Sequence, residues 1–266
     1  MYLRPETVVS DWTEVERFLE ALPLGLLTTA IPLAGQPTIQ ASHLPLLFTP
    51  PSRAPATVAE VSQTPISSTS TSFSGTWNSN PNSSTNFDLG ILRCHLSRGN
   101  PQAKALLSQA EQTCTENEEV LAVFSDPTNI AGYISPQWYK ATKPDTGKVV
   151  PTWNYTELQL YGHPTIVSPS QIVRDLSDKH EQLYANKVNK QEKWKVEHAP
   201  REYTDLLERA IIGLEIKINR VGFKCKMSTE KAEGDRTGVI EGLRDLGGEA
   251  AIMGDLVEKR ASTKQA

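Results

Sequence analysis

Cysteine, long hydrophobic runs and excess positive charge are all scarce in this chain of 266 residues. Its three cysteines, Cys94, Cys114 and Cys225, are odd in number and far apart, which argues against a disulfide framework. No run approaches the roughly 18 apolar residues that cross a bilayer, and residues 1–6 lack the basic-then-apolar pattern of a secretion signal. We therefore expect a cytoplasmic protein with no membrane partner, and a nuclear location stays open.

The formal net charge of −4 is unlike that of domains that bind nucleic acid by a broad basic surface. The exception is the lysine run at 186–195, NKVNKQEKWK, which carries four lysines, one glutamate and Trp194. Such a run is most often a solvated helix or loop face. Nucleic acid is therefore a weakly supported partner.

Common catalytic and cofactor motifs are missing. There is no glycine-rich phosphate loop and no Gly-x-Ser-x-Gly turn. His180-Glu181 lacks the second histidine of a zinc protease, and the five histidines never pair at the spacing of metal ligands. Cys114 is followed by acidic residues, which would raise the pKa of its thiol and make it a poor nucleophile.

The order of elements predicts an α+β fold. Asp11 begins a helix that Pro23 ends, and Asn100 caps a second helix over 102–110. Strands are predicted at 24–31, 38–48, 89–96, 120–124, 131–135, 154–161, 165–167 and 214–221, with further helices after Ser168, near 200–211 and through 239–243. Gly162-His163-Pro164 predicts a bulge. Dense strands in the first 165 residues favour an antiparallel barrel decorated by helices.

Composition divides the chain further. A Ser/Thr/Asn-rich segment at about 61–88 has almost no aliphatic residue, so we interpret it as a flexible insertion. We expect one domain over residues 1–230 that includes this insertion, followed by a helical tail over residues 231–266.

Aromatic residues form only 7% of the chain, yet they concentrate at 133–139 (YISPQWY) and 150–155 (VPTWNY). Rings set among hydroxyl and amide groups are typical of a site for a flat, polar-edged ligand. Ser135, Trp138, Thr152, Trp153 and Asn154 are the candidate contacts. A hairpin whose Trp and Tyr polar atoms bond the backbone explains the composition equally well.

A second set of polar residues lies on or next to predicted strands. His43 and His95 each interrupt an apolar strand, where a histidine is more often a core residue than a ligand contact. Arg98 and Asn100 precede a helix N-terminus, which favours an anion such as phosphate; a capped helix with an exposed arginine is the alternative. A ligand that is flat, polar-edged and anionic at one end fits all these segments, and FMN has this description.

The motifs resemble, in order and over nearly the whole chain, the PaiB-type family of FMN-binding split-barrel proteins, commonly labelled negative transcriptional regulators. The segments that carry the resemblance are Met1-Tyr2, SHLPL at 42–46, HLSRGNPQ at 95–102, YISPQWY at 133–139, VPTWNY at 150–155, IGLEI at 212–216 and KCKMS at 224–228. The chain departs from the family pattern in its insertion, in Gly99 where alanine is frequent, and in Thr229-Glu230 where a Gln-Asn pair is usual.

The resemblance implies a split β-barrel homodimer that holds flavin near the subunit interface. Arg98 would then pair with the phosphate, and Thr28 and Thr29 would line the barrel strand near the flavin. The ring or ribityl chain would be surrounded by His43, His95, Trp153 and Asn154.

Three functions follow as hypotheses. The first is a flavin-binding protein that acts as an oxidoreductase on a small molecule, because the flavin itself supplies the chemistry. The second is a negative transcriptional regulator that acts directly or through a partner. The third is a barrel that binds haem through His43 or His95.

Overall fold

The computed structural model describes residues 1–52, 88–111, 118–188 and 192–263. Most of the predicted insertion, Cys114 and Lys190 lie outside the described residues. The strands in these ranges are β1 (Leu24–Ala30), β2 (Ile39–Pro45), β3 (Leu47–Thr49), β4 (Ile91–Ser97), β5 (Val120–Ser125), β6 (Tyr133–Ile134), β7 (Thr152–Trp153), β8 (Tyr155–Val167) and β9 (Ile211–Lys226). The helices are α1 (Trp12–Ala21), α2 (Pro101–Glu111), α3 (Thr142–Thr146), α4 (Pro169–Lys187), α5 (Arg201–Arg209), α6 (Glu233–Leu246) and α7 (Gly248–Thr263).

Seven strands form one antiparallel sheet in the order β2-β1-β5-β8-β9-β4-β3. The two end strands of this order, β2 and β3, are separated in the chain by Leu46 alone. The sheet must therefore curl until its ends meet, with the first half of the 39–49 segment on β1 and the second half on β4. The fold is a split β-barrel with helices, as the sequence predicts, although the predicted strand 38–48 is divided into two.

The barrel interior is filled by side chains that alternate along each strand. In β8, Leu158 and Leu160 point inward and are buried, whereas Glu157 and Gln159 alternate with them and are only half-buried. Helix α1 adds Trp12 to the same core. The aspartate Asp11 caps this helix, accepting a 2.9 Å hydrogen bond from the backbone N–H of Thr13.

The predicted bulge is confirmed on β8. The register between β8 and β9 shifts between Tyr161 and Gly162. A Cβ at Gly162 would lie 2.3 Å from the carbonyl oxygen of Lys217, so the close approach of the two strands requires glycine here. The last strand, β9, is also longer than predicted, extending from Ile211 to Lys226.

A second, smaller core lies between the aromatic segment and the C-terminal helices. It contains Ile134 and Tyr139 from that segment, Met227 after β9, and Val239, Leu243, Met253 and Val257 from α6 and α7. Trp138 packs against α6, where a Cβ at Gly242 would lie 2.4 Å from its ring. This core draws on both sides of the expected division at residue 230, which stays a prediction.

None of the helices in the described ranges is long and apolar enough to span a membrane.

Candidate functional site

The outer face of β1, β2 and β5 is a strip of apolar side chains with polar groups among them. Leu26 is level with His43 on β2 and with Val123 on β5. The next outward position, Thr28, is level with Ala41 and Leu121. Leu26, Thr28, Leu121 and Val123 are half-buried, and His43 and Ala41 are exposed. A face of this kind offers apolar area for a flat ring, and the hydroxyl of Thr28 and the imidazole of His43 can bond the polar edge of that ring.

One end of this outer face continues into a cleft of about 350 Å³. It is lined by Leu26, His43 and Val123 of the sheet, by the end of α1 and by Pro127. Pro127 begins the 3-10 helix Pro127–Ala131, so the cleft leads from the sheet towards the aromatic segments.

The start of α2 lies against β1 and β2. Asn100 caps the helix, accepting from the N–H of Gln102, and donates to the hydroxyl of Ser42 on β2 at 3.0 Å. Gln102 is buried, and its amide nitrogen donates to the carbonyl of Leu27, the hydroxyl of Thr29 and a carbonyl of β2. Thr29 therefore points into the barrel and Thr28 points out, so of these two threonines only Thr28 can contact a ligand on the outer face.

Arg98 lies in the turn between β4 and α2. Its backbone N–H donates to the carbonyl of Ala210 at 2.8 Å, and its Nε donates to the carbonyl of Arg209 at 3.1 Å. The side chain is exposed. Its guanidinium is thus anchored at one nitrogen, and its other nitrogens are free to bind a phosphate near this turn.

His95 differs from His43 in its surroundings. It points away from the barrel core on β4, the strand against which α4 packs. Its Nδ1 is buried and has no hydrogen-bond partner among the residues that the structure describes, and burial lowers the pKa of the imidazole below 6.5. The exposed His43 is therefore the histidine that a ligand on the outer face can reach.

The aromatic segments pair as the short hairpin β6–β7, in which Tyr133 is level with Trp153. Their rings meet edge to face with centroids 5.9 Å apart. The indole N–H of Trp153 donates to the carbonyl of Asn129 at 2.8 Å, as the alternative hairpin interpretation expects. Both rings remain about half exposed, at 48% and 45%, so they still offer stacking area.

Lys226 holds the β7 side of this hairpin. Its Nζ donates to the hydroxyl of Thr152 and, at 2.8 Å, to the carbonyl of Trp153. Burial lowers the pKa of the Lys226 ammonium, and the neighbouring Glu230 opposes that effect.

Asn154 is fully buried, and its side-chain oxygen Oδ1 accepts a hydrogen bond of 3.0 Å from the hydroxyl of Ser228. Ser228 has a backbone φ of 56°, which is unusual for a residue other than glycine. The amide nitrogen of Asn154 has no partner within the described residues. This buried pair fixes the end of β9 to the start of β8.

Nine of the eleven predicted contacts therefore fall into three places. Thr28 and His43 share the outer face, and Thr29, Arg98 and Asn100 lie around the start of α2. The hairpin residues Thr152, Trp153 and Asn154 lie beyond the 127–131 helix, with Ser135, which caps the next 3-10 helix. Trp138 belongs to the second core and His95 lies on the strand beside α4.

Sequence reasoning did not assign roles to Gln102, Lys226 or Asn129. Gln102 and Lys226 both fall within motifs that carry the family resemblance, so a signal was present. Asn129, whose amide makes two hydrogen bonds with the backbone of Thr156, lies outside those motifs.

The curled antiparallel sheet, its outer apolar face and the turn before α2 define a split-barrel protein of the flavin-binding class. Residues 1–220 match the family described as "Putative FMN-binding domain", and the chain belongs to this family. The predicted resemblance to the PaiB type is confirmed, and FMN is the cofactor by which the family is described.

Two relatives and one solved structure illustrate the match. An uncharacterized protein of Aspergillus fumigatus is 35% identical over 99% of both chains. The "Protease synthase and sporulation protein PAI 2" of Bacillus subtilis is 28% identical, over 62% of this chain and 71% of its own. The FAD and haem binding protein of Mycobacterium smegmatis is 11% identical, with a TM-score of 0.40 over 80% of this chain and 70% of its own.

Proposed function

We propose that this chain binds FMN on the outer face of β1, β2 and β5, beside the place where the two end strands of the sheet, β2 and β3, meet. The observation that carries the proposal is that Thr28 and His43 lie among half-buried apolar side chains on the outside of the barrel. The inside of the barrel is filled by the hydrophobic core. The inward positions that the structure describes are packed by aliphatic and aromatic side chains, which leave no room for a flavin among them.

The chemistry of the donor set fits the cofactor. Leu26, Leu121 and Val123 offer area to the isoalloxazine ring, and Thr28 and His43 offer hydrogen bonds to its polar edge. Arg98 would hold the phosphate, because a guanidinium forms strong hydrogen bonds with phosphate oxygens. Trp153, Tyr133 and the Thr152–Lys226 pair would line the far side of the cleft or complete the site of a second subunit.

A homodimer follows from the same face. Leu24 and Ile39 are 59% and 70% exposed at the edge of the strip, and exposed apolar residues around a binding face are typical of a subunit interface. In such a dimer both copies would enclose the flavin. The barrel over 1–230 would carry the site, and the tail over 231–266 would support the aromatic segment.

The activity we propose is an oxidoreduction of a small molecule. A bound flavin supplies hydride or electron transfer, so the protein is required to position the substrate and exclude water rather than to provide an acid–base pair. We place the protein in the cytoplasm, because three cysteines that are far apart in the sequence and odd in number do not suggest the disulfide framework of a secreted protein.

Direct regulation of transcription has weaker support. In the lysine run, Lys193 lies 3.5 Å from Asp178, and Glu181 accepts from the N–H of Trp194. These carboxylates lower the local positive charge that DNA binding requires. A regulatory role through a partner is therefore the second hypothesis.

Absorbance spectra of the purified protein, before and after addition of FMN, test the proposal. We expect bands near those of free flavin and a change in flavin fluorescence on binding, followed by reduction of the bound flavin by a nicotinamide donor. A sharp band near 400 nm instead would support haem. No uptake of FMN at micromolar concentrations would refute the flavin site and leave the regulatory hypothesis.

A further inference from the structure

Helix α5 turns its polar side towards the protein and its apolar side towards solvent. Within Arg201–Arg209 no side chain is buried, and the residues that approach the rest of the protein are polar. Glu208 accepts from the hydroxyl of Ser170 and lies 3.7 Å from Arg174 of α4. The helix is therefore fixed to the protein through a carboxylate and not through an apolar stripe, the reverse of an ordinary surface helix.

The apolar side of α5 points to solvent. Tyr203, Leu206 and Leu207 stand at positions i, i+3 and i+4, which places them on one side of the helix. They are 56%, 63% and 47% exposed. A shallow cleft of about 500 Å³ lies along Tyr203 and Leu206. A contiguous exposed patch of large apolar side chains, rimmed by charges, is typical of a contact surface.

The charges at the rim are those that a second copy of the same helix would match. Glu202 and Arg209 lie seven residues apart, about 10.5 Å along the helix axis. Neither forms an ion pair within the ranges that the structure describes, whereas Arg201 has Asp205 at 3.9 Å. In an antiparallel pair related by a two-fold axis, Glu202 of each copy is level with Arg209 of the other.

The midpoint between these two charges falls between Asp205, which Arg201 pairs, and Leu206, so the two Leu206 side chains would meet beside the axis. We infer that α5 is a self-association surface that packs antiparallel against α5 of a second copy, with Leu206 at the centre and two Glu202–Arg209 ion pairs at the rim. This contact goes beyond the proposed flavin function, because it uses none of the outer sheet face.

The position of α5 relative to the candidate site gives the contact a consequence. Arg98 bonds the carbonyls of Arg209 and Ala210 at the C-terminal end of the helix. A second copy seated on α5 would therefore lie next to the turn that we expect to hold the phosphate.

Cross-linking at the predicted axis tests the contact. A Leu206→Cys variant should form a covalent dimer on mild oxidation at micromolar protein, several-fold more than a matched Leu246→Cys variant. Leu246 is 67% exposed at the end of α6, so it controls for random collision, and the unsubstituted chain controls for the native cysteines. Equal yields from the two variants would overturn the inference.

A charge exchange supplies the second arm. In the Leu206→Cys background, Glu202→Arg or Arg209→Glu should each lower the yield of covalent dimer, and the two together should restore it. Failure of the double variant to recover would overturn the antiparallel arrangement. FMN titration of Glu202→Arg in the same Leu206→Cys background keeps the two proposals apart, because this variant should form less covalent dimer and retain its affinity for FMN.

Discussion

Replacing Arg98 by alanine should weaken the binding of FMN far more than that of riboflavin, which lacks the phosphate. The guanidinium is exposed and anchored through Nε to the carbonyl of Arg209, so its remaining nitrogens can reach a phosphate near the start of α2. A hydrogen bond to a charged group contributes about 1.5–3 kcal/mol. Because water screens this exposed position, we expect the lower part of that range.

A loss of about 1.5–2 kcal/mol corresponds to a roughly 10- to 30-fold increase in Kd for FMN. The Kd for riboflavin should change less than about twofold, which is within the effect of a distant surface substitution. Quenching of flavin fluorescence on titration measures both constants. Arg98→Lys should recover part of the affinity, because lysine keeps the charge and loses the fork.

Arg93→Ala is the matched control. Arg93 points outward on β4, the strand that precedes the turn with Arg98, and its Nε lies 2.7 Å from a carboxylate oxygen of Glu215, so it is already paired. This variant should bind both flavins as the unsubstituted chain does. An equal loss of affinity for FMN and riboflavin in Arg98→Ala would refute the phosphate assignment, as would unchanged binding of FMN.

Three further predictions concern the parts that support the site. Gln102→Leu should lower the free energy of unfolding by about 2–4 kcal/mol in urea titrations, because it leaves buried partners on β1 and β2 without their donor. Gly242→Ala should cost about 1–3 kcal/mol despite the better helix propensity of alanine, because its Cβ would lie 2.4 Å from the ring of Trp138; Gly99→Ala, with nothing nearer than 3.5 Å, should be close to neutral. Burial disfavours the charge of Asp235, but hydrogen bonds from Thr142 and Ala141 outweigh it and lower the pKa below 3.8. Asp235 therefore stabilises the fold above that pH and loses this contribution as the pH falls through its lowered pKa, so the destabilisation by Asp235→Asn should shrink below pH 3.8 in thermal melts.

Local signals in the sequence predicted much of the fold. Asn100 and Asp11 cap helices as their residue types indicate, because short polar side chains bond the first free N–H groups. The alternation in β8 and the bulge at Gly162 were also visible, since the side-chain period of a strand is two. These features depend on residues within a few positions of one another.

The closure of the barrel depends on distant pairings and is not written in any one segment. The break at Leu46 looks like part of a single strand until β1 and β4 are known to bind its two halves. The exposure of the apolar side of α5 is likewise not visible locally, because an apolar side of a surface helix ordinarily faces the core. The hydrogen bond from Ser170 to Glu208 shows that the polar side of the helix faces the protein.

The candidate site was predicted in its residues more than in its geometry. His43 and Thr28 lie on one face, as the resemblance implies. The aromatic residues around Trp138 in the sequence predict a ligand contact, but the structure packs Trp138 against the second core. Its ring packs against Gly242 of α6. Packing of a ring against a glycine of a distant helix is a tertiary contact, which a single sequence does not show.

The central claim, that FMN lies on the outer face of β1, is tested most directly by a pair of tryptophan variants. Thr28→Trp fills the middle of that face, and Thr165→Trp adds the same ring at an exposed position on β8. With circular dichroism confirming that both variants fold, the first should lose at least tenfold in FMN affinity and the second should bind as the unsubstituted chain. Unchanged binding by Thr28→Trp, or equal losses in both variants, would contradict the claim.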